Sequence, residues 1–207
     1  MDLITIESLR DAPVQPNTKF HIVESLRAGR PLDGHICEFG VWSGCSITWI
    51  ANDVTVYPVH GFDSFVGLPL PWDRGPDIRP AGHFHTHGKR PYVPPNVELH
   101  VGWFTDTLPT WLDQHPGPMR FLNIDSDIYQ SAKDVLTLCN DRIQPGTVIR
   151  FDEIGSWCTP HPINGSLYTT WAEHEIKALN EWLHEYDRQV YPLSRDGEYG
   201  ASVVVKA

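Results

Sequence analysis

Ile36–Cys37–Glu38–Phe39–Gly40–Val41–Trp42–Ser43–Gly44–Cys45–Ser46 is the stretch on which the reading of this chain turns. A short apolar run, Ile36 to Phe39, leads into two glycines, and the following Ser46–Ile47–Thr48–Trp49–Ile50–Ala51 spaces its apolar groups as a helix does. The pattern predicts strand, tight glycine turn, helix. In an open α/β sheet such a turn lies at the carboxyl end of a strand. Gly40 can take a positive φ and Gly44 permits close backbone approach, so main-chain N–H groups can face a polar ligand where the helix begins. A glycine turn that merely ends a buried strand fits the same residues. The dinucleotide fingerprint G-x-G-x-x-G is missing: the chain has G-x-x-x-G behind an acidic strand residue, with Ser43 where a middle glycine would stand. A diphosphate ligand is therefore disfavoured.

Working outward, strands and helices alternate. Residues 1–16 form a polar lead-in, after which Asn17 is placed to cap a helix carrying Phe20, Ile22, Val23 and Leu26 and stopping at Gly29. Residues 1–30 are thus expected to be a helical cover. Further strands are expected at Thr55–His60, Val97–Val101, Met119–Ile124 and Thr147–Phe151, with an edge or near-edge strand at Tyr199–Val205. Helices are expected up to Leu112, around Ala132–Cys139 and from Trp171 to Leu183. This order predicts an α/β fold, a mostly parallel central sheet with helices on both faces, as one domain over residues 1–207. Two stretches, 67–95 and 154–170, are long, irregular and rich in proline, glycine and aromatics, and are expected to form lids or substrate loops.

Composition narrows the partners. Sixteen basic against 26 acidic residues give a net charge of −10, which disfavours nucleic acid and anionic membranes. No apolar run approaches spanning length, and the first ten residues lack a basic-then-apolar leader, so a cytoplasmic location is expected. The four cysteines form no CxxC pair, and Cys37 and Cys139 read as small core fillers. A homo-oligomer is left open.

The segment Glu38–Phe39–Gly40–x–x–x–Gly44 resembles motif I of class I S-adenosyl-L-methionine (SAM) methyltransferases. Three further stretches follow in order: Gly61–Phe62–Asp63–Ser64–Phe65–x–Gly67–Leu68–Pro69, Gly102–Trp103–Phe104–x–Asp106–Thr107–Leu108–Pro109, and Asp125–x–Asp127–x–Tyr129–x–Ser131. Together they resemble the macrocin O-methyltransferase (TylF-like) family over roughly residues 36–153. The resemblance implies a Rossmann-like SAM methyltransferase fold. It implies that Glu38, Gly40 and Gly44, with Ser43, hold the amino-acid end of SAM, and that Asp63, beside Ser64, takes the ribose hydroxyls. Trp103 and Phe104 would border the adenine, with Asp106 facing its amine. Core aromatics after a strand are the plainer reading of Trp103 and Phe104.

Asp125 and Asp127 follow one expected strand, and Asp152 and Glu153 follow the next, so in a parallel sheet all four reach one edge. Converging carboxylates repel, and a hard divalent cation relieves that repulsion. The resemblance implies Mg²⁺ on Asp125, Asp152 and Glu153. Asp127 is the first candidate for the proton-accepting base, with Asp125 in the catalytic group; His161, His83, His85 and His87 come second. The pair Asp152–Glu153 departs from the paired aspartates common in that family. Ile128 replaces the lysine that catechol-type enzymes place after the first metal aspartate. His83, His85 and His87 alternate, so an extended strand would present them on one face, either to Zn²⁺ or to solvent and polar substrate. The expected activity is O-methylation of a small hydroxylated acceptor, a sugar or natural product. Metal-free N-methylation, a non-catalytic SAM-binding protein and an NAD dehydrogenase are the competing readings.

Overall fold

The computed structural model describes residues 4–158 and 167–207. Its centre is a seven-stranded sheet made of β1 (His35–Phe39), β2 (Val59–Asp63), β5 (Val97–Val101), β6 (Met119–Ile124), β7 (Val148–Phe151), β8 (Val190–Arg195) and β9 (Ala201–Val205). The strands lie in the order β5-β2-β1-β6-β7-β9-β8, with the first five parallel and β9 and β8 antiparallel. From β1 the chain builds outward to β2 and β5, then returns to lay β6 on the other side of β1. The reversal leaves a crevice at the carboxyl ends of β1 and β6, where open α/β sheets bind ligands.

Helices cover both faces, as the alternation predicted. One face packs α2 (Thr18–Ala28) and α3 (Cys45–Asp53) against the sheet through Ile22, Leu26, Ile47 and Ile50. The other packs α4 (Phe104–Gln114), α5 (Tyr129–Cys139) and α6 (Glu175–Glu185) through Trp111, Val135, Leu179 and Trp182. Asn17 caps α2 by accepting from the Phe20 amide at 3.0 Å. Cys37 and Cys139 are fully buried.

Several boundaries differ from the sequence reading. The second strand starts at Val59 rather than Thr55, because Thr55–Tyr57 turns through solvent, with Val56 85% exposed. Asp63 therefore ends that strand instead of following it. Gly61 sits inside the strand, where a Cβ would press on Ile47, Val41 and Leu99, so glycine lets α3 close onto the sheet. A short helix, α1 (Ile6–Arg10), with Thr5 and Ser8 forming a reciprocal cap, occupies the polar lead-in. The edge strand β8 was not foreseen; its exposed Tyr191 and its Pro192 broke the expected pattern. Within 67–95 the chain makes a small hairpin of β3 (Trp72–Asp73) and β4 (Ile78–Arg79).

Candidate active site

A cavity of about 520 Å³ opens at the carboxyl edge of the sheet. Its back wall is the turn after β1. Gly40 has φ 94, and a Cβ there would run into the carbonyl oxygen of Asp125, so glycine alone lets β1 and β6 deliver their ends side by side. Three non-glycine residues that line the cavity also carry positive φ, Trp42 at 44°, Phe84 at 68° and Asp127 at 62°. Such strained positions concentrate at ligand sites.

Asp63 clamps this turn. Its Oδ2 accepts from the amides of Val41 at 2.8 Å and Trp42 at 2.7 Å, and its Oδ1 accepts from Phe65 at 2.6 Å. Gly40, Ser43, Asp63, Ser64, Trp103 and Phe104 all border the cavity. Glu38, Gly44 and Asp106 do not line it. Gly44 caps the start of α3, Asp106 lies in the first turn of α4, and Glu38 is buried beneath the turn. Desolvation pushes Glu38 up to about 8 against hydrogen bonds from Ser46 and Asn123. Across the mouth, Phe84 meets Trp42 edge to face at 5.4 Å, which brings the 67–95 segment over the turn.

The floor is acidic. Asp125 and Asp127 follow β6, while Asp152 and Glu153 follow β7, and all four border the cavity. Asp125, Asp152 and Glu153 bring one carboxylate oxygen each within 4.8 Å of the others. Desolvation, then the charge of Asp152, holds Asp125 and Glu153 well above the carboxylate range, and the same two causes push Asp127 to about 7. Glu153 Oε2 is buried without a hydrogen-bond partner among the described residues. Three oxygen donors, mutual repulsion and an orphaned oxygen together fit a hard divalent cation.

Two participants escaped the sequence reading. Arg150, in the middle of β7 and 0% exposed, donates through Nη2 to Asp152 at 2.5 Å and through Nη1 to Asn123 at 2.9 Å. Asn123 donates in turn to Glu38 at 2.8 Å, so a polar row crosses three strands beneath the cavity. A cationic residue inside an otherwise apolar strand is the signal that could have found it. Glu175, at the first turn of α6, accepts from the Glu153 amide at 2.9 Å and adds a further acid, pushed to about 8 chiefly by desolvation.

The other candidates fall elsewhere. His161 lies outside the described residues. His83, His85 and His87 lie in loop and turn backbone rather than on a strand, with Phe84 and His87 at positive φ; the His85 and His87 rings meet edge to face with centroids 4.1 Å apart, but the three histidines form no three-ligand cluster among the described residues. The stretch after Asp125 supplies no lysine to the cavity: Lys133, on α5, pairs with Glu181 at 2.7 Å.

A family described as methyltransferase domain matches residues 37–154, more than half of the chain. The chain belongs to that family. It is a SAM-dependent methyltransferase. Mycinamicin III 3''-O-methyltransferase of Micromonospora griseorubida is 27% identical over 88% of this chain and 74% of its own. The structure of CalS11, a calicheamicin methyltransferase, covers 96% of this chain and 88% of its own with a TM-score of 0.67 at 20% identity. CalS11 is also described as a TDP-rhamnose 3'-O-methyltransferase. MycE methyltransferase of mycinamycin biosynthesis, solved with Mg and S-adenosylhomocysteine (SAH), covers 90% of this chain and 48% of its own, with a TM-score of 0.55 at 16% identity. No described helix of this methyltransferase is long and apolar enough to cross a membrane.

Proposed function

We propose that this methyltransferase is an O-methyltransferase of the macrocin (TylF-like) kind, acting on a sugar hydroxyl of a small natural product with a divalent cation, Mg²⁺, on Asp125, Asp152 and Glu153. The observation that carries this reading is the convergence of those three carboxylates beside the glycine turn. The O-methyltransferase names of its relatives, one of them acting on TDP-rhamnose, support the acceptor class, and the Mg in the MycE complex supports the ion.

When bound, SAM would supply an electrophilic methyl group on a sulfonium. Mg²⁺ held by Asp125, Asp152 and Glu153 would supply charge that lowers the pKa of the acceptor hydroxyl. The remaining work belongs to the chain. Turn amides at Gly40–Gly44, with Ser43, would hold the amino-acid end of the cofactor, and the buried Glu38 supports that turn from beneath. Asp63 and Ser64 take the ribose diol. Three turn amides already occupy the Asp63 carboxylate, and its roughly four lone-pair sites leave capacity for a hydroxyl. Trp103 and Phe104, which border the cavity, would face the adenine. Asp127, beside the metal carboxylates, receives the acceptor proton as the oxygen attacks. The whole chain serves as one catalytic unit, with segments 67–95 and 154–170 shaping the acceptor subsite.

The test is methyl transfer from SAM to a panel of glycosylated acceptors, followed by mass spectrometry, with and without EDTA. Methylation of a sugar hydroxyl, lost with EDTA and restored by Mg²⁺, is expected. Full activity in EDTA, or transfer confined to amines, would overturn the reading.

A further inference from the structure

The sheet edge opposite the cavity carries a second cluster of metal-binding side chains that methyl transfer does not use. His60 comes from the start of β2, Glu98 and His100 from β5, and His115 from the carboxyl cap of α4. Parallel register sets His60 directly beside Glu98 and sets His100 beside Phe62, two residues further on the same face. Because α4 begins at the cavity and runs back along the sheet, His115 arrives over that face, its ring centroid 5.0 Å from that of His60.

The donor geometry is that of a metal set. His60, Glu98 and His115 each bring one ligand atom within 4.8 Å of the others. His60 Nδ1 lies 3.7 Å from Glu98 Oε2. Bonds of about 2.0–2.2 Å in a tetrahedral zinc site separate ligand atoms by roughly 3.3 Å, so a small contraction suffices.

The tautomers are also set. His115 Nδ1 lies 2.8 Å from the carbonyl of Trp111, which can only accept, so Nδ1 carries the proton and Nε2 keeps its lone pair. Trp111 Nε1, which can only donate, gives its proton to His60 Nδ1 at 3.3 Å, so that nitrogen is unprotonated, and an ion there would displace the indole from its lone pair. Metal-binding imidazoles are oriented in this way through their other nitrogen, as His115 is here. His60 Nδ1 is approached at once by Trp111 Nε1, by Glu98 Oε2 and by His100 Nε2 at 3.2 Å, more neighbours than one lone pair serves as a hydrogen-bond acceptor.

We propose that His60, His115 and Glu98 form a second metal site for a borderline divalent ion of the Zn²⁺ class, joining the carboxyl end of α4 to the edge strands of the sheet. Two imidazoles and one carboxylate suit such an ion better than Mg²⁺. Glu98, with its side chain 63% exposed, gives the ion a path from water. The amino end of α4 carries Trp103 and Phe104 on the cavity wall, so the ion anchors from its far end the helix that borders the cavity.

The test is titration of chelator-treated protein with Co²⁺, read by visible d–d absorption, and with Zn²⁺, read by calorimetry, both in excess Mg²⁺ to fill the carboxylate site. Uptake of one ion is expected, weakened at least about tenfold in His115→Ala and Glu98→Gln and unchanged in Asp125→Asn and His85→Ala. Zn²⁺ should raise the Tm of the parent protein but not of His115→Ala, whose Tm in chelator checks its fold. No uptake in excess Mg²⁺ would overturn the proposal. So would uptake that survives His115→Ala and is lost in Asp125→Asn or His85→Ala.

Discussion

Arg150 Nη2 meets Asp152 Oδ1 at 2.5 Å, from a guanidinium wholly shut off from water inside the central sheet. One end of the polar row beneath the cavity is thereby tied to the acidic floor, and the other end reaches Glu38 through Asn123. Removing Arg150 strands Asp196, 2% exposed and 3.6 Å from Nη2, along with the partly exposed Asp152. Arg150→Met should therefore lower the unfolding free energy by about 3–5 kcal/mol in urea titration. A cost below about 1 kcal/mol would show that the row tolerates the loss and does not organise the site.

Asp125→Asn keeps the shape of its side chain and removes one anionic donor from the floor. Methyl transfer should fall to background at any Mg²⁺ concentration, while SAH affinity by calorimetry stays within about threefold, roughly 0.6 kcal/mol. If SAH binding collapses instead, Asp125 serves the cofactor and not the cation.

For Asp63→Ala, the loss of three backbone hydrogen bonds should loosen the turn and weaken SAH binding by about 1–3 kcal/mol. Calorimetry at fixed Mg²⁺ measures this. Unchanged affinity would remove Asp63 from both the ribose and the turn.

Glu38 gives a pH signature. Desolvation raises its pKa from the ordinary 4.5 to about 8 in the folded protein. Between those values the unfolded chain releases a proton that the folded one retains. Stability from this group is therefore fully present below pH 4.5 and declines toward pH 8, at up to about 1.4 kcal/mol per pH unit. Glu38→Gln removes the titration, so its unfolding free energy should fall less steeply with pH than that of the parent. Parallel curves for the two proteins would contradict this assignment.

Activity should also disappear on chelation and return with Mg²⁺ rather than with Zn²⁺ alone, because three carboxylates without nitrogen donors favour the harder ion. Zn²⁺ restoring full rate in place of Mg²⁺ would contradict this reading of the donor set.

The sequence alone determined the strand–turn–helix around Gly40, the alternation that makes a mostly parallel sheet, and the acidic ends of two strands. These are local signals: apolar spacing, glycine placement and short polar motifs act over a few residues. It did not reveal the edge strand Val190–Arg195, the start of β2 at Val59, or the turns that take His83, His85 and His87 off a strand. Nor could spacing show that Asp63 grips the turn of another strand, that Arg150 lies under Asp152, or that His60, Glu98 and His115 converge at the far edge. Those relationships depend on strand register and on where a helix ends over the sheet. Both are settled by burying the two apolar faces together, at sequence separations that no local pattern spans.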